Sequence, residues 1–341
     1  MAREATDRVW RRERGTRALK AGQHPRQEGS ALVAVMTGFD RKYQQRREHA
    51  RATWFPSNEQ EMQRIYERTG MIMKFAIGEV PDEHIKAVQE EERQHGSFLR
   101  IPIKQDIYQR LTFKTVAFWE VVSSLYNVDY VVKVDDDSYV RLDRLSIALS
   151  QWASMGSEYI GCFKPRDNAD NRLRLRTHRW YDPHHELFEG DSSRYAEGPF
   201  YVIQGSVIDG LVRSGLTVRM GGPNEDMMTG WMMKAFNVSH YDDRRLCFKR
   251  TCDETIIAFQ WDHAVRDFLD PEWRLSTICC EEEGVCREEA KRDVDGLTCM
   301  HKLHTNATCA LPALNEAGEL PLFKGTSHKL RSDEAWIRDP A

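Results

Sequence analysis

Three consecutive carboxylates, Asp135, Asp136 and Asp137, follow directly on the apolar run Tyr130-Val-Val-Lys-Val134. That run is rich in β-branched residues and reads as a buried strand, so the acids stand where the strand should leave its sheet. Side chains alternate along an extended chain, which predicts Asp135 and Asp137 on one side and Asp136 on the other. Adjacent negative charges repel unless a cation or strong donors compensate them. A divalent ion with oxygen ligands, Mg²⁺ or Mn²⁺, is the simplest compensation, and such an ion also bridges to phosphate. In open α/β sheets, ligands bind at the carboxyl ends of strands. An acidic surface turn is the bland alternative. A Ca²⁺ loop of EF-hand type is excluded, because its sixth position would be Val140 rather than Gly and its twelfth Ser146 rather than Glu. A phosphohydrolase with Asp135 as nucleophile expects Thr or Val two residues after Asp137, where Tyr139 stands.

A second acid pair, Glu225-Asp226, closes the turn Gly221-Gly-Pro-Asn and opens a helical pattern. Carboxylates there can cap a helix, or serve as an acid or base at a site. Around the two acid clusters, strands are expected at 31–37, 71–77, 98–103, 130–134, 159–163 and 200–203. Helices are expected at 41–54, 81–94, 108–126, 143–152, 206–212 and 226–236. Alternating strands and helices predict an α/β fold with a mostly parallel open sheet. Residues 164–197 are polar and rich in Arg and aromatic residues, as in a long excursion beside a binding site.

At 341 residues the chain can bury a proper core, and a net charge of −4 gives no reason to expect nucleic acid as a partner. No apolar run is long enough to span a membrane. Residues 1–30, with eight Lys/Arg against four Asp/Glu, read as a disordered basic arm or the remnant of a stem. Of eight cysteines, Cys162 stands by itself in sequence. The others (Cys247, Cys252, Cys279, Cys280, Cys286, Cys299 and Cys309) crowd toward the C-terminus. Residues 266–341 therefore read as a Cys-rich extension, disulfide-stapled in an oxidising compartment. A zinc site with His301 or His304 is the rival reading. The sequons Asn237-Val-Ser239 and Asn306-Ala-Thr308 fit a secretory route.

Several stretches, in order, resemble glycosyltransferase family 31, the β-1,3-galactosyltransferases and their N-acetylglucosaminyl relatives. They are Arg46-Arg-Glu-His-Ala-Arg-Ala-Thr-Trp54, Phe75-Ala-Ile-Gly78, Asp106-Ile-Tyr-Gln-Arg-Leu-Thr-Phe-Lys-Thr115 and Lys133-Val-Asp-Asp-Asp-Ser138. Tyr159-Ile-Gly161, Arg179-Trp-Tyr181, Tyr195 through Tyr201 and Glu225-Asp-Met227 complete the series. His240-Tyr-Asp-Asp-Arg-Arg-Leu-Cys247 is similar to the plant branch. The resemblance covers about residues 31 to 245. It implies a GT-A catalytic domain, taken as 31–265, and a UDP-hexose donor, most often UDP-galactose. It further implies Mn²⁺, a glycoprotein glycan acceptor and a type II membrane protein of the Golgi lumen. The family's N-terminal anchor is missing here, which we read as truncation. The alternatives are a UDP-N-acetylglucosamine-using β-1,3-transferase and a non-catalytic carbohydrate-binding descendant.

By that resemblance Asp137, with Asp135 and Asp136 assisting, would hold the metal and donor, and His263 is the expected third ligand, with His240 as runner-up. Arg47 and Arg51, one helical turn apart, are placed near phosphate, for which a guanidinium fork is suited. Asp106 and Lys114 join the same donor shell. Asp226 is the expected general base, with Glu225 orienting the acceptor. Trp180, Tyr181 and Tyr195 offer apolar faces to sugar rings, and Gly198 offers close backbone approach. A single base opposite the leaving nucleotide inverts the anomeric centre, so no enzyme nucleophile is needed.

Overall fold

The computed structural model describes residues 25–104, 106–163, 195–218, 224–247, 257–260 and 328–330, with 176, 177 and 181. Eight strands form one open sheet: β1 (Gln27–Met36), β2 (Met71–Ile77), β3 (Phe98–Arg100), β4 (Tyr126–Asp135), β6 (Tyr159–Phe163), β7 (Ala196–Gln204), β8 (His240–Asp242) and β10 (His328–Leu330). Their order is β10-β8-β6-β7-β4-β1-β2-β3. A two-stranded ribbon pairs β5 (Ser138–Val140) with β9 (Ala258–Gln260). The helices are α1 (Arg41–Thr53), α2 (Glu59–Thr69), α3 (Asp82–His95), α4 (Leu111–Leu125), α5 (Leu142–Ser154), α6 (Gly205–Ser214) and α7 (Glu225–Ala235). Among the described residues no helix is long and apolar enough to cross a membrane.

The central strand β1 pairs in parallel with both β2 and β4. A strand covered on both faces needs apolar side chains at every position, and the run 31–36 supplies them. Ala31, Val33 and Val35 enter one core layer with Trp54 of the α1 C-cap and Trp152 of α5. Leu32, Ala34 and Met36 enter the other, with Trp119 of α4, Ile208 of α6 and Met232 of α7. The expected α/β class holds, and β2 spans the expected residues. Its sheet is mixed. β7 runs antiparallel to both β4 and β6, so its first residues lie at the same edge as the carboxyl ends of β1 and β4.

Several bounds differ from expectation for one reason: periodicity marks only the buried part of an element. β1 starts at Gln27, inside the segment read as an arm, because its polar first turns pair with β4 from Tyr126 onward while their side chains stay partly exposed. β7 likewise begins at Ala196, through Gly198 and Pro199. Helix α2 has no buried residue and went unread. Its signal was a cap rather than a stripe. Asn58 accepts the Glu61 amide at 3.0 Å, Glu61 accepts the Ser57 amide at 2.7 Å, and Gly70 ends the helix at φ 71°. The region read as a separate extension contributes β10, which pairs with β8. Cys162, alone in sequence, is joined to Cys247 across 85 residues, which removes both thiols from the zinc reading. The other six cysteines lie outside the described residues.

Candidate active site

Strand β4 ends at Asp135, and Asp136 and Asp137 form a turn before β5. Alternation therefore stops one residue earlier than the sequence suggested. Asp135 stays on the face of Lys133, two residues before it, whose Nζ donates to its Oδ1 at 2.6 Å. Asp136 and Asp137 fall together instead, because a turn does not keep the strand's period. Arg46 of α1 reaches both, with Nη1 at 2.6 Å from Asp136 Oδ1 and Nη2 at 3.3 Å from Asp137 Oδ2. Burial pushes the Asp136 carboxyl above its ordinary range, and the Arg46 charge offsets this only in part. Asp136 Oδ2 is buried and has no hydrogen-bond partner among the described residues. A buried carboxylate oxygen without a donor is costly, and a cation ligated there would relieve it. The acid turn fits a hard divalent ion in that respect.

Lys133, the one charged residue of the run 130–134, joins the two acid clusters. Its side chain is 1 % exposed, and Nζ also donates to the Gly198 carbonyl at 2.5 Å and stands 3.5 Å from Glu225 Oε2. Burial alone would lower its pKa, but the charges of Asp135 and Glu225 outweigh that and raise it. Glu225 lies inward, accepting from Tyr201 Oη at 2.5 Å and Thr229 Oγ1 at 3.3 Å. A carboxylate so buried and so bonded braces β4 and β7 against α7. Burial and the Glu225 charge hold the Tyr201 phenol well above its ordinary value. Asp226 sits on the outer side of the same helical turn, only partly buried, with Oδ1 accepting the Met227 amide at 2.9 Å. It faces Gly198, where an added Cβ would come within 3.5 Å of the Asp226 side chain. Asp135, Lys133, Gly198 and Asp226 thus form a continuous chain of neighbours along the sheet edge.

The arginines expected at phosphate are committed elsewhere. Arg47 is fully buried and donates to both Glu91 oxygens at 2.7 Å, to Thr37 Oγ1 and to the Gly38 carbonyl. Arg51 donates to the same Glu91 at 2.7 Å and to Ser97 Oγ. The Arg47 guanidinium has no surface left for a ligand, and the Arg51 side chain keeps only 5 % exposure. Their neighbour Arg46, about 100° round the helix from Arg47, is the one at the acids. Asp106 and Lys114 do lie at the carboxyl edge. There they tie loops: Asp106 Oδ2 accepts the Gly78 amide and Lys114 Nζ, each at 2.7 Å, and Lys114 also donates to the Thr37 carbonyl. Burial lowers the Lys114 pKa, with the Asp106 charge opposing it.

His240 is not at the acid turn. By register it is level with Tyr159, Ile203 and Val131, three strands away from β4 and four residues below Asp135. Strand spacing and rise put that at roughly 20 Å. Its ring packs between Phe163 and Tyr159. Tyr195 is buried beside Ala196 rather than open to solvent, and Tyr181 is partly exposed. Trp180 and His263 lie outside the described residues.

The sequence model of the Galactosyltransferase family matches residues 45–244, more than half of the chain. The chain belongs to this galactosyltransferase family. It is 34% identical over 252 residues to the probable beta-1,3-galactosyltransferase 12 of Arabidopsis thaliana, covering 72% of this chain and 65% of that protein. It is 33% identical over 244 residues to the probable beta-1,3-galactosyltransferase 13 of the same plant, covering 71% and 68%. The chain thus spans about two thirds of the length of these relatives, slightly less for the first. Among solved structures it aligns with the mannosyltransferase PcManGT from Pyrobaculum calidifontis in complex with GDP-Man and Mn²⁺. The TM-score is 0.34 at 12% identity, covering 69% of this chain and 61% of that one. At that score the overlap decides nothing about this galactosyltransferase family member.

Proposed function

We propose that the protein is an inverting, metal-dependent GT-A hexosyltransferase that moves galactose from UDP-galactose to a glycan hydroxyl, forming a β-1,3 linkage in protein glycosylation. The observation that carries the reading is the joining of Asp135, next to the acid turn, to Asp226 through Lys133 and Gly198 at one sheet edge. Family membership supports the class of reaction, and the Arabidopsis relatives named above support galactose over N-acetylglucosamine. A Golgi-lumen location follows as part of the same proposal from the family resemblance.

Asp136 and Asp137 are the described residues that would hold Mn²⁺ or Mg²⁺, with His263 as the proposed third ligand. When bound, such an ion supplies Lewis-acid neutralisation of the charge on a departing diphosphate. Asp226 takes the proton from the acceptor hydroxyl as that oxygen attacks the anomeric carbon. Gly198 keeps the space in front of Asp226 clear, since only a hydrogen faces the carboxylate there. Lys133 fixes the edge of β7 against β4, so the base and the acid turn keep one relative position. Attack opposite the leaving UDP turns an α-linked donor into a β-glycoside.

Transfer from UDP-galactose to a β-galactoside acceptor, assayed with Mn²⁺, tests this. Asp226→Asn is expected to lower turnover by about 10²–10⁴-fold, the range for a lost general base, while UDP binding is retained. Turnover unchanged by this substitution would discard Asp226 as the base. Faster transfer from UDP-N-acetylglucosamine than from UDP-galactose would replace the donor.

A further inference from the structure

Among the described residues, the left-handed backbone positions are Gly70, Gly96, Gly156, Gly215 and one residue that is not glycine, Asn237 at φ 57°. Gly70, Gly96 and Gly215 stop α2, α3 and α6. Helices α5 and α7 end in one shared hydrogen-bond pattern. After α5 the Gly156 amide donates to the Ala153 carbonyl and the Ser157 amide to the Trp152 carbonyl, each at 3.0 Å. After α7 the Asn237 amide donates to the Lys234 carbonyl and the Val238 amide to the Met233 carbonyl, each at 2.9 Å. This motif needs a left-handed residue, and glycine takes that conformation with no Cβ to oppose it. Asparagine tolerates it better than most side chains, but less freely than glycine. The helix stop accounts for a left-handed residue at 237. It does not account for Asn in place of Gly, nor for Ser two residues on.

Asn237-Val238-Ser239 is an acceptor tripeptide for N-linked glycosylation, with a hydroxyl at its third position and no proline at its second. Asn237 is exposed. Helix α7 has 11 residues and is about 16 Å long, with Asp226 in its first turn and Asn237 just past its end. The strand that follows, β8, runs parallel to β6 and through β7 parallel to β4, so Asn237 lies at the sheet edge opposite the acid turn.

We propose that Asn237 is an N-glycosylation site whose glycan stands on the sheet edge away from the acid turn. This rests on the Golgi-lumen part of the reading above. Asn237 Nδ2 forms a bond to the anomeric carbon of a lipid-diphosphate-linked oligosaccharide. The bond from that carbon to the diphosphate oxygen breaks, the lipid diphosphate leaves with the bonding electrons, and the amide nitrogen loses one proton. Val238 is 2 % exposed and the Ser239 amide donates to Glu158 Oε2 at 2.7 Å, so the folded tripeptide is held too closely to enter an enzyme's cleft. Transfer therefore precedes folding, and the fold leaves the modified side chain outside.

The test translates the whole chain behind a cleavable signal sequence with endoplasmic-reticulum microsomes, with Asn306→Gln present throughout so that one sequon is left. Chains protected from added protease have entered the lumen. These should migrate one glycan heavier, and an amidase that removes N-glycans should restore the lighter form. Asn237→Gly keeps the left-handed turn, and Ser239→Ala removes only the hydroxyl; each should lose the shift completely. From the folded protein the glycan should come off without denaturant. Protected chains that carry no glycan, or a shift that persists in Asn237→Gly, overturn the site. They leave the Golgi-lumen reading standing, because the added signal sequence delivers those chains. A glycan released only after unfolding overturns its outward placement. The full-length gene product found outside the secretory route of its own cells defeats the location reading, and the proposal with it.

Discussion

From β3 to β4 all neighbouring strands are parallel, whereas beyond β4 the directions are mixed, with β7 antiparallel to both its neighbours, β8 parallel to β6 and β10 antiparallel to β8, and these strands draw on distant parts of the chain. The two halves are also held differently. In the parallel half, the loops after β1 and β2 are pinned by buried charge: Glu91 with Arg47 and Arg51, and Asp106 with Lys114. In the other half, a disulfide joins Cys162 at the end of β6 to Cys247, and the buried Asp243 holds Trp152 Nε1 and Arg245. The difference follows from chain length between contacts. Short β-α-β crossovers cost little loop entropy, so non-covalent pairs suffice to set the loops. The segment from 162 to 247 carries β7, α6, α7 and the proposed base, and a covalent link there removes much of the unfolded chain's freedom. The acid turn lies on the seam between the halves, with Lys133 stitching one to the other.

The largest test of this contrast is Glu91→Ala. It strands two buried guanidinium groups, and such losses cost about 3–5 kcal/mol, measured as a shift in the urea midpoint. Burial works to raise the Glu91 pKa, but hydrogen bonds and charge from Arg47 and Arg51 prevail and hold it below the ordinary value. A depressed folded-state pKa gives stability that is full above the unfolded carboxylate value and disappears as pH falls through the folded one. Urea midpoints should therefore drop in acid, and Glu91→Gln should flatten that dependence. Next in size is Cys162→Ser with Cys247→Ser, expected to cost about 2–4 kcal/mol in the same titration. While folded, this variant should keep UDP affinity and lose transfer, because the bond spans the base-bearing half. Equal loss of UDP binding would erase the distinction between the halves. Smallest is Gly161→Ala on β6, where an added Cβ would lie 2.4 Å from Ala196 Cβ. Overpacking of that kind costs about 1–3 kcal/mol, read as a lowered melting temperature with UDP affinity intact.

The strands and most helices were legible because each carries its burial pattern in consecutive residues: 31–36 and 71–77 are apolar at nearly every position, as central parallel strands must be. Helix α2 and the polar ends of β1 and β7 were less so, since α2 buries no residue and those strand ends run mostly through partly exposed positions that leave no period. The two acid clusters stood out by charge density. What their members do was harder to read. Asp136 joined Asp137 rather than standing opposite it, because β4 ends at Asp135. Glu225 turned inward to Tyr201 and Lys133, while Asp226, one residue on, kept an outward side. Lys133 carried a signal that could have been used: a lone cation in a buried strand must find a carboxylate, and Asp135 lies two residues on along the same face.

Local physics written in the chain therefore determined the α/β class, the order of the elements and the presence of concentrated acid at strand and helix ends. Tertiary packing decided which charge meets which. Adjacent residues on a helix diverge by about 100°, so Arg46 and Arg47 face different surroundings. Their partners, Asp136 and Glu91, lie 90 and 44 residues away. Only a folded sheet edge brings such groups within hydrogen-bonding distance, and the division between ligand site and structural clamp is made there.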